Sequence, residues 1–139
     1  MQSISDIMVV NVLSVNDDDT VYRARELLKE NGIRHLPVLD HQSGVFVGVV
    51  TQGSILNYTL KIVEKFGLSA LDKRDKRNQV KEIMITDCET ANPGMDLISA
   101  AEFFIEKKNS CLPVIQEGEL KGIVTSVDFV KLALHLLKT

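Results

Sequence analysis

Residues 120–132 read LKGIVTSVDFVKL. A short apolar run, Leu120 to Val124, gives way at Thr125 to a stretch of helical spacing, and the junction carries Gly122, Thr125 and Asp128. A threonine at such a place can cap the helix, because its hydroxyl accepts a hydrogen bond from an otherwise unpaired N–H of the first turn. An aspartate three residues on suits the positive end of the helix dipole. Upstream, residues 47–56 read VGVVTQGSIL, a weaker copy with Gly48, Thr51 and Ser54 in matching places. Both stretches bring a hydroxyl to a helix N-terminus, with a second oxygen-bearing side chain three positions later. A junction of this kind can hold a hydroxylated, anionic ligand.

The correspondence extends well beyond the two junctions. Ile7-Met8 aligns with Ile83-Met84, Ala24 with Ala100, and Pro37 with Pro113, each pair 76 positions apart. After the prolines the offset drops to 74, since Gly48 pairs with Gly122 and Thr51 with Thr125. Three markers at one offset, followed by a single change in loop length, indicate duplication.

In the first copy, Val9 to Val15 is a short apolar strand interrupted by Asn11 and Ser14. Thr20 is placed to cap a helix whose Val21, Ala24, Leu27 and Leu28 recur at helical spacing, and Gly32 is placed to end it in a left-handed conformation. Residues 34–39 form a strand whose Pro37 suits an edge or strand end. Residues 45–50 return as a second strand, and a helix follows Thr51 as far as about Phe66. In the second copy, Ile85 to Ala91 is the first strand. Asp96 caps a helix bearing Leu97, Ala100, Ala101, Phe104 and Ile105, and residues 111–115 and 120–124 form a hairpin around Glu117-Gly118. A last helix covers about Ser126 to Leu137. Each copy therefore reads β-α-β-β-α, an α+β fold in which two small pseudo-symmetric halves share their stability. The halves span 1–66 and 80–139. Residues 67–79 connect them and hold Lys73-Arg74-Asp75-Lys76-Arg77, a solvated charged linker in which two aspartates interrupt the positive charge and no aromatic residue interleaves.

Composition excludes several classes of function. The 139 residues are 45% hydrophobic and 25% charged, with a net charge of −3, so no global attraction to nucleic acid or anionic membrane is expected. No run is long enough to span a bilayer, and MQSISDIM lacks the basic start and apolar core of a signal peptide, so a cytoplasmic location is expected. Cys88 and Cys111 lie in apolar runs and read as buried small hydrophobes. Three scattered histidines without close Cys/His spacing give no zinc site. His35, His41 and His135 have no paired nucleophile in a recognisable motif, and there is no phosphate-cradling Walker loop, so an enzyme is not expected.

The doubled series resembles a tandem pair of CBS domains, the family named after cystathionine beta-synthase. The resemblance rests on Ile7-Met8, Ala24, Ile33 to Val38 and Gly48 to Thr51 in the first half. In the second half it rests on Ile83-Met84, Ala100, Leu112-Pro113-Val114 and Gly122 to Asp128. It implies a regulatory module that binds an adenine nucleotide (AMP, ADP or ATP) as a signal, with no obligatory cofactor. On the family pattern Thr125 contacts phosphate, Asp128 the ribose hydroxyls and Ile123 the base, while Val9, Ile33, Arg34 and His35 supply the opposite wall. The physics agrees, since a carboxylate accepts hydrogen bonds from neighbouring hydroxyls and an arginine adds charge-assisted bonds to phosphate. The first copy departs from the pattern, because Ser54 stands where the acid is expected. A second site formed by Val49, Thr51 and Ser54, walled by Thr86, Ser110 and Cys111, is expected to be weaker.

Plainer readings stand beside these. Thr51 and Thr125 also serve as simple helix caps, and Asp128 as a dipole-stabilising acid. A competing function is an interaction module that works without ligand. The helices over 52–66 and 126–138 are apolar around most of their circumference, more than one sheet face covers, which predicts a homodimer formed through them. The family resemblance independently implies disc-like dimers. The regulated protein is not legible in the residues.

Overall fold

Thr20 accepts a hydrogen bond from the Arg23 N–H at 3.1 Å, and from this cap α1 runs over Val21–Asn31 in the computed structural model. The structure describes residues 2–107 and 111–139. Gly32 ends α1 with φ of 59°, as its sequence position predicts, and its N–H reaches the Leu28 and Lys29 carbonyls. Strands β1 (Val15–Asn16), β2 (His35–Leu39) and β3 (Phe46–Thr51) follow the order β1-β2-β3, with β1 parallel and β3 antiparallel to β2. Helix α2 (Gln52–Phe66) and the short α3 (Leu71–Arg77) complete this part of the chain. The second copy repeats the plan with α4 (Leu97–Lys107), β4 (Cys111–Gln116), β5 (Glu119–Thr125) and α5 (Ser126–Lys138). Both central residues of the Glu117-Gly118 turn have positive φ, 53° and 81°, the tight hairpin geometry that matches strand twist.

The chain divides into two compact units, and their limits differ from those of the sequence repeats. One unit is Leu13–Cys88, the other Met1–Val12 together with Glu89–Thr139. Each first strand expected from the sequence is consequently split. Val9 bridges antiparallel to Ile123 in one unit, whereas Val15 opens β1 in the other. In the same way Ile85 bridges Val49, and Ala91 lies parallel to Val114. The middle of each stretch is polar: Asn11 in one, and Thr86, Asp87, Glu89 and Thr90 in the other, are exposed. Of the apolar ends, Val15 and Ala91 pack into two different cores, whereas Val9 and Ile85 form bridges and stay partly exposed. The 3-10 turns at Ile4–Asp6 and Val80–Glu82, 76 positions apart, place these ends equivalently in the two units.

Pro37 lies inside β2, the central strand of its sheet, not at an edge or strand end as expected, and both it and Pro113 inside β4 are fully buried. The pairing explains the difference. Pro37 faces Val49, whose N–H and C=O are both spent on Ile85 at 3.0 and 2.8 Å. Pro113 faces Ile123, which spends both groups on Val9 at 3.0 Å. The missing proline N–H therefore costs no bond to the antiparallel neighbour.

Two further expectations are corrected. On α4 the buried face carries Ala100 and Phe103, with Leu97 and Phe104 packed beside them, while Ile105 is exposed on the far side of the helix. The connection over 67–79 is not simply a solvated linker, because Asp75 is only 2% exposed. Its carboxylate takes two hydrogen bonds from Arg25 of α1, from Nε at 2.6 Å and Nη2 at 3.2 Å. Cys88 and Cys111 are both half-buried, and burial pushes the Cys88 thiol pKa up.

Candidate functional site

The two strand-to-helix junctions are built alike from the backbone outward. Gly122 of β5 lies against the opening segment of the first copy: a Cβ there would sit 2.7 Å from the Val9 carbonyl oxygen and 2.8 Å from the Met8 sulfur. Gly48 of β3 lies equally close to the opening segment of the second copy, where a Cβ would sit 2.7 Å from the Ile85 carbonyl oxygen and 3.1 Å from the Met84 sulfur. Only glycine lets the backbones approach so closely. Sequence reasoning used Ile7-Met8 and Ile83-Met84 as repeat markers without assigning them this task. Their recurrence at one fixed offset was the available signal.

At the C-terminal end of each paired strand the chain turns into a helix, and here the two junctions diverge. In the first copy Thr51 and Ser54 form a closed reciprocal cap. The Ser54 hydroxyl accepts from the Thr51 N–H at 2.9 Å and donates to the Thr51 carbonyl at 3.0 Å, while the Thr51 hydroxyl accepts from the Ser54 N–H at 3.0 Å. The one proton of Ser54 is thus spent inside the cap. In the second copy Asp128 occupies the matching position and is buried, 8% exposed. Its Oδ2 accepts from the Thr125 N–H at 2.8 Å and from the Thr125 hydroxyl at 3.4 Å. Among the described residues its Oδ1 has no hydrogen-bond partner. The junction therefore presents one uncommitted carboxylate oxygen beside the N-terminus of a 13-residue helix. Such an oxygen accepts from a hydroxyl, and the helix N–H groups and dipole favour an anion.

Val9, Ile123, Thr125 and Asp128 thus belong to one unit, with Val9 and Ile123 directly paired and Cys111 opposite Thr125 across the hairpin. Val49, Thr51 and Ser54 belong to the other, with Thr86 exposed next to the Ile85 bridge. Ile33, Arg34 and His35 lie in this second unit as well, where His35 faces Thr51 and the Arg34 carbonyl accepts the first N–H of α2 at 3.0 Å. Ser110 lies outside the described residues. Burial, and then the positive charge of Arg34, lower the His35 pKa, which favours a neutral imidazole. Asp17 and His41, which the site reading does not use, form an exposed pair at 2.8 Å that raises the His41 pKa.

Family comparison agrees with this doubled geometry. The CBS domain family model matches residues 4–61 and 80–135, most of the chain. This chain belongs to the CBS domain family. Its CBS pair is 32% identical to the protein MJ1404 of Methanocaldococcus jannaschii, over 97% of this chain and 32% of that protein, so it spans about a third of this relative's length. Among solved structures it resembles CBSX2 in complex with AMP, with a TM-score of 0.80 and 28% identity over 98% of each chain. It also resembles the CBS domain pair of MJ0100 in complex with 5-methylthioadenosine and S-adenosyl-L-methionine, with a TM-score of 0.72 and 25% identity over 94% of each chain. No helix among the described residues of the CBS pair is long and apolar enough to cross a membrane.

Proposed function

We propose that this CBS pair is a regulatory module that binds an adenine nucleotide, AMP, ADP or ATP, and passes its occupancy to a partner protein. The observation that carries the reading is the uncommitted Oδ1 of buried Asp128 beside the α5 N-terminus. In this reading Asp128 accepts from the ribose hydroxyls, Thr125 and the first turn of α5 hold phosphate, and the paired Val9 and Ile123 cover the base. AMP, 5-methylthioadenosine and S-adenosylmethionine, the ligands of the related pairs, share an adenosine, which supports a site that reads base and ribose. The closed Thr51–Ser54 cap supports a weaker or empty second site, since Ser54 is neutral and its proton is already spent.

Calorimetry on Asp128→Asn tests this. The amide oxygen can still accept from the Thr125 N–H, so the helix cap survives while the charge is lost. AMP affinity is expected to fall by about 1.5–3 kcal/mol, the worth of a hydrogen bond to a charged group. Ser54→Ala should leave AMP affinity nearly unchanged. Equal losses in both variants would sink the asymmetry, and no binding of AMP, ADP or ATP to the wild type would favour the ligand-independent interaction module.

The reading includes a symmetric homodimer. It is supported by the apolar side chains that the second helix of each unit leaves exposed: Leu56 and Leu60 on α2, and Val130, Leu134 and Leu137 on α5. Leu134→Glu, at a position 52% exposed, should yield folded monomer in light scattering. Wild-type monomer at high micromolar concentration would refute the dimer.

A further inference from the structure

The charged connection between the repeats changes character on folding. In sequence it alternates in sign and holds no aromatic residue. In the structure Asp75 turns inward onto Arg25, and Asp72 is paired with Lys76 at 3.0 Å. Among the described residues no carboxylate lies within ion-pair distance of Lys73, Arg74 or Arg77. Tertiary structure also supplies the missing aromatic. The Arg74 guanidinium carbon lies 3.7 Å over the centroid of the Phe66 ring at the end of α2. Phe66 remains 46% exposed and Leu68 is 72% exposed. A chain with net charge −3 thus carries unpaired cations on α3 next to exposed apolar side chains at the end of α2 and just after it.

The chemistry of the surface selects its partner. Unpaired cations attract a polyanion. Leu68 has nothing to offer a phosphate or a base edge, but it gains from burial under an apolar side chain. One face of the Phe66 ring is already covered by Arg74, which makes it a poor platform for base stacking. We propose that this α2–α3 surface docks an acidic protein segment bearing an apolar or aromatic side chain. That side chain sits on Phe66 and Leu68, and the flanking carboxylates meet Lys73, Arg74 and Arg77. The surface uses none of Val9, Ile123, Thr125 or Asp128, so it stands or falls separately from nucleotide binding.

The test titrates the full chain with three labelled probes in fluorescence anisotropy: poly-L-glutamate, a random glutamate–tyrosine copolymer and an oligothymidylate of matched charge. The copolymer is expected to bind about tenfold more tightly than poly-L-glutamate, the gain from burying an apolar side chain. Lys73→Glu with Arg77→Glu should abolish both interactions. Leu68→Ser should remove only the advantage of the copolymer. All three positions are exposed, so circular dichroism should show folded variants. Failure of the copolymer to bind, equal affinity for both glutamate probes, or equal or tighter binding of the oligothymidylate would each overturn the proposal.

Discussion

Arg25→Ala is expected to destabilise the protein by about 3 kcal/mol, because it leaves a carboxylate buried without its counter-charge. The Asp75 side chain is 3% exposed and takes hydrogen bonds from Arg25 Nε and Nη2, while Nη2 also donates to the Thr59 hydroxyl at 2.8 Å. With the guanidinium gone, the Asp75 carboxylate keeps its desolvation cost and loses the attraction that offset it. Asp75→Ala should be milder. The Arg25 side chain is a quarter exposed and can turn to water, whereas Asp75 cannot. The double variant should likewise be milder than Arg25→Ala alone, since no charge is then stranded. Urea denaturation measures all three. A loss below about 1 kcal/mol for Arg25→Ala would mean that local opening hydrates Asp75 and that α3 is only loosely docked. The result bears on function, because α3 carries Lys73 and Arg77 and is tied through Asp75 to α1 and through Arg25 to Thr59 of α2.

Gly122→Ala is expected to cost about 2 kcal/mol or more, the usual penalty of overpacking where the neighbours cannot move aside. The added methyl would meet the Val9 carbonyl oxygen at 2.7 Å, and that oxygen is held by the Ile123 N–H at 3.0 Å. The flexible Met8 sulfur can shift, but a bonded backbone carbonyl cannot do so without opening the bridge. Gly48→Ala should behave alike, since its obstacle is the Ile85 carbonyl oxygen, also at 2.7 Å. Gly53→Ala is the contrast. Its nearest neighbour is the Thr51 hydroxyl oxygen at 3.6 Å, and it lies within α2, so alanine should stabilise by roughly 0.5 kcal/mol through helix propensity. Denaturation midpoints that failed to separate Gly122→Ala and Gly48→Ala from Gly53→Ala would show that the strand pairs relax freely. On the reading proposed for Asp128, Gly122→Ala should also weaken AMP binding, because it disturbs the Val9–Ile123 pair.

Much of this architecture is legible from the residues alone. Thr20 and Gly32 bound α1 as their chemistry requires, and the helices after Thr51 and Thr125 begin where the caps place them. The turn at Glu117-Gly118 is marked by a two-residue glycine-containing pair between two apolar runs. These features depend on atoms within about four residues of one another, and short-range hydrogen bonding decides them whatever the rest of the chain does. Duplication was equally readable, because a repeated set of local solutions leaves a repeated set of residues. The difference between the junctions was visible too, as Ser54 against Asp128. What it means chemically, one hydroxyl spent inside its cap and one carboxylate oxygen left over, needed the geometry.

Other features rest on partners distant in the chain. Nothing local distinguishes Val9 from Val15, yet one pairs with Ile123 and the other enters β1 beside Val38. Pro37 suits a strand edge by its own chemistry, yet it sits in a central strand because Val49 spends its hydrogen bonds on Ile85. Asp75 read as one more charge in a solvated run, and became a buried anion only because Arg25, fifty residues earlier, comes to meet it. Patterning within a few residues establishes which segments are helix or strand. Which core each segment enters, and which charge it leaves at the surface, is decided by the competition of all buried surfaces at once, and that competition is settled only in the folded chain.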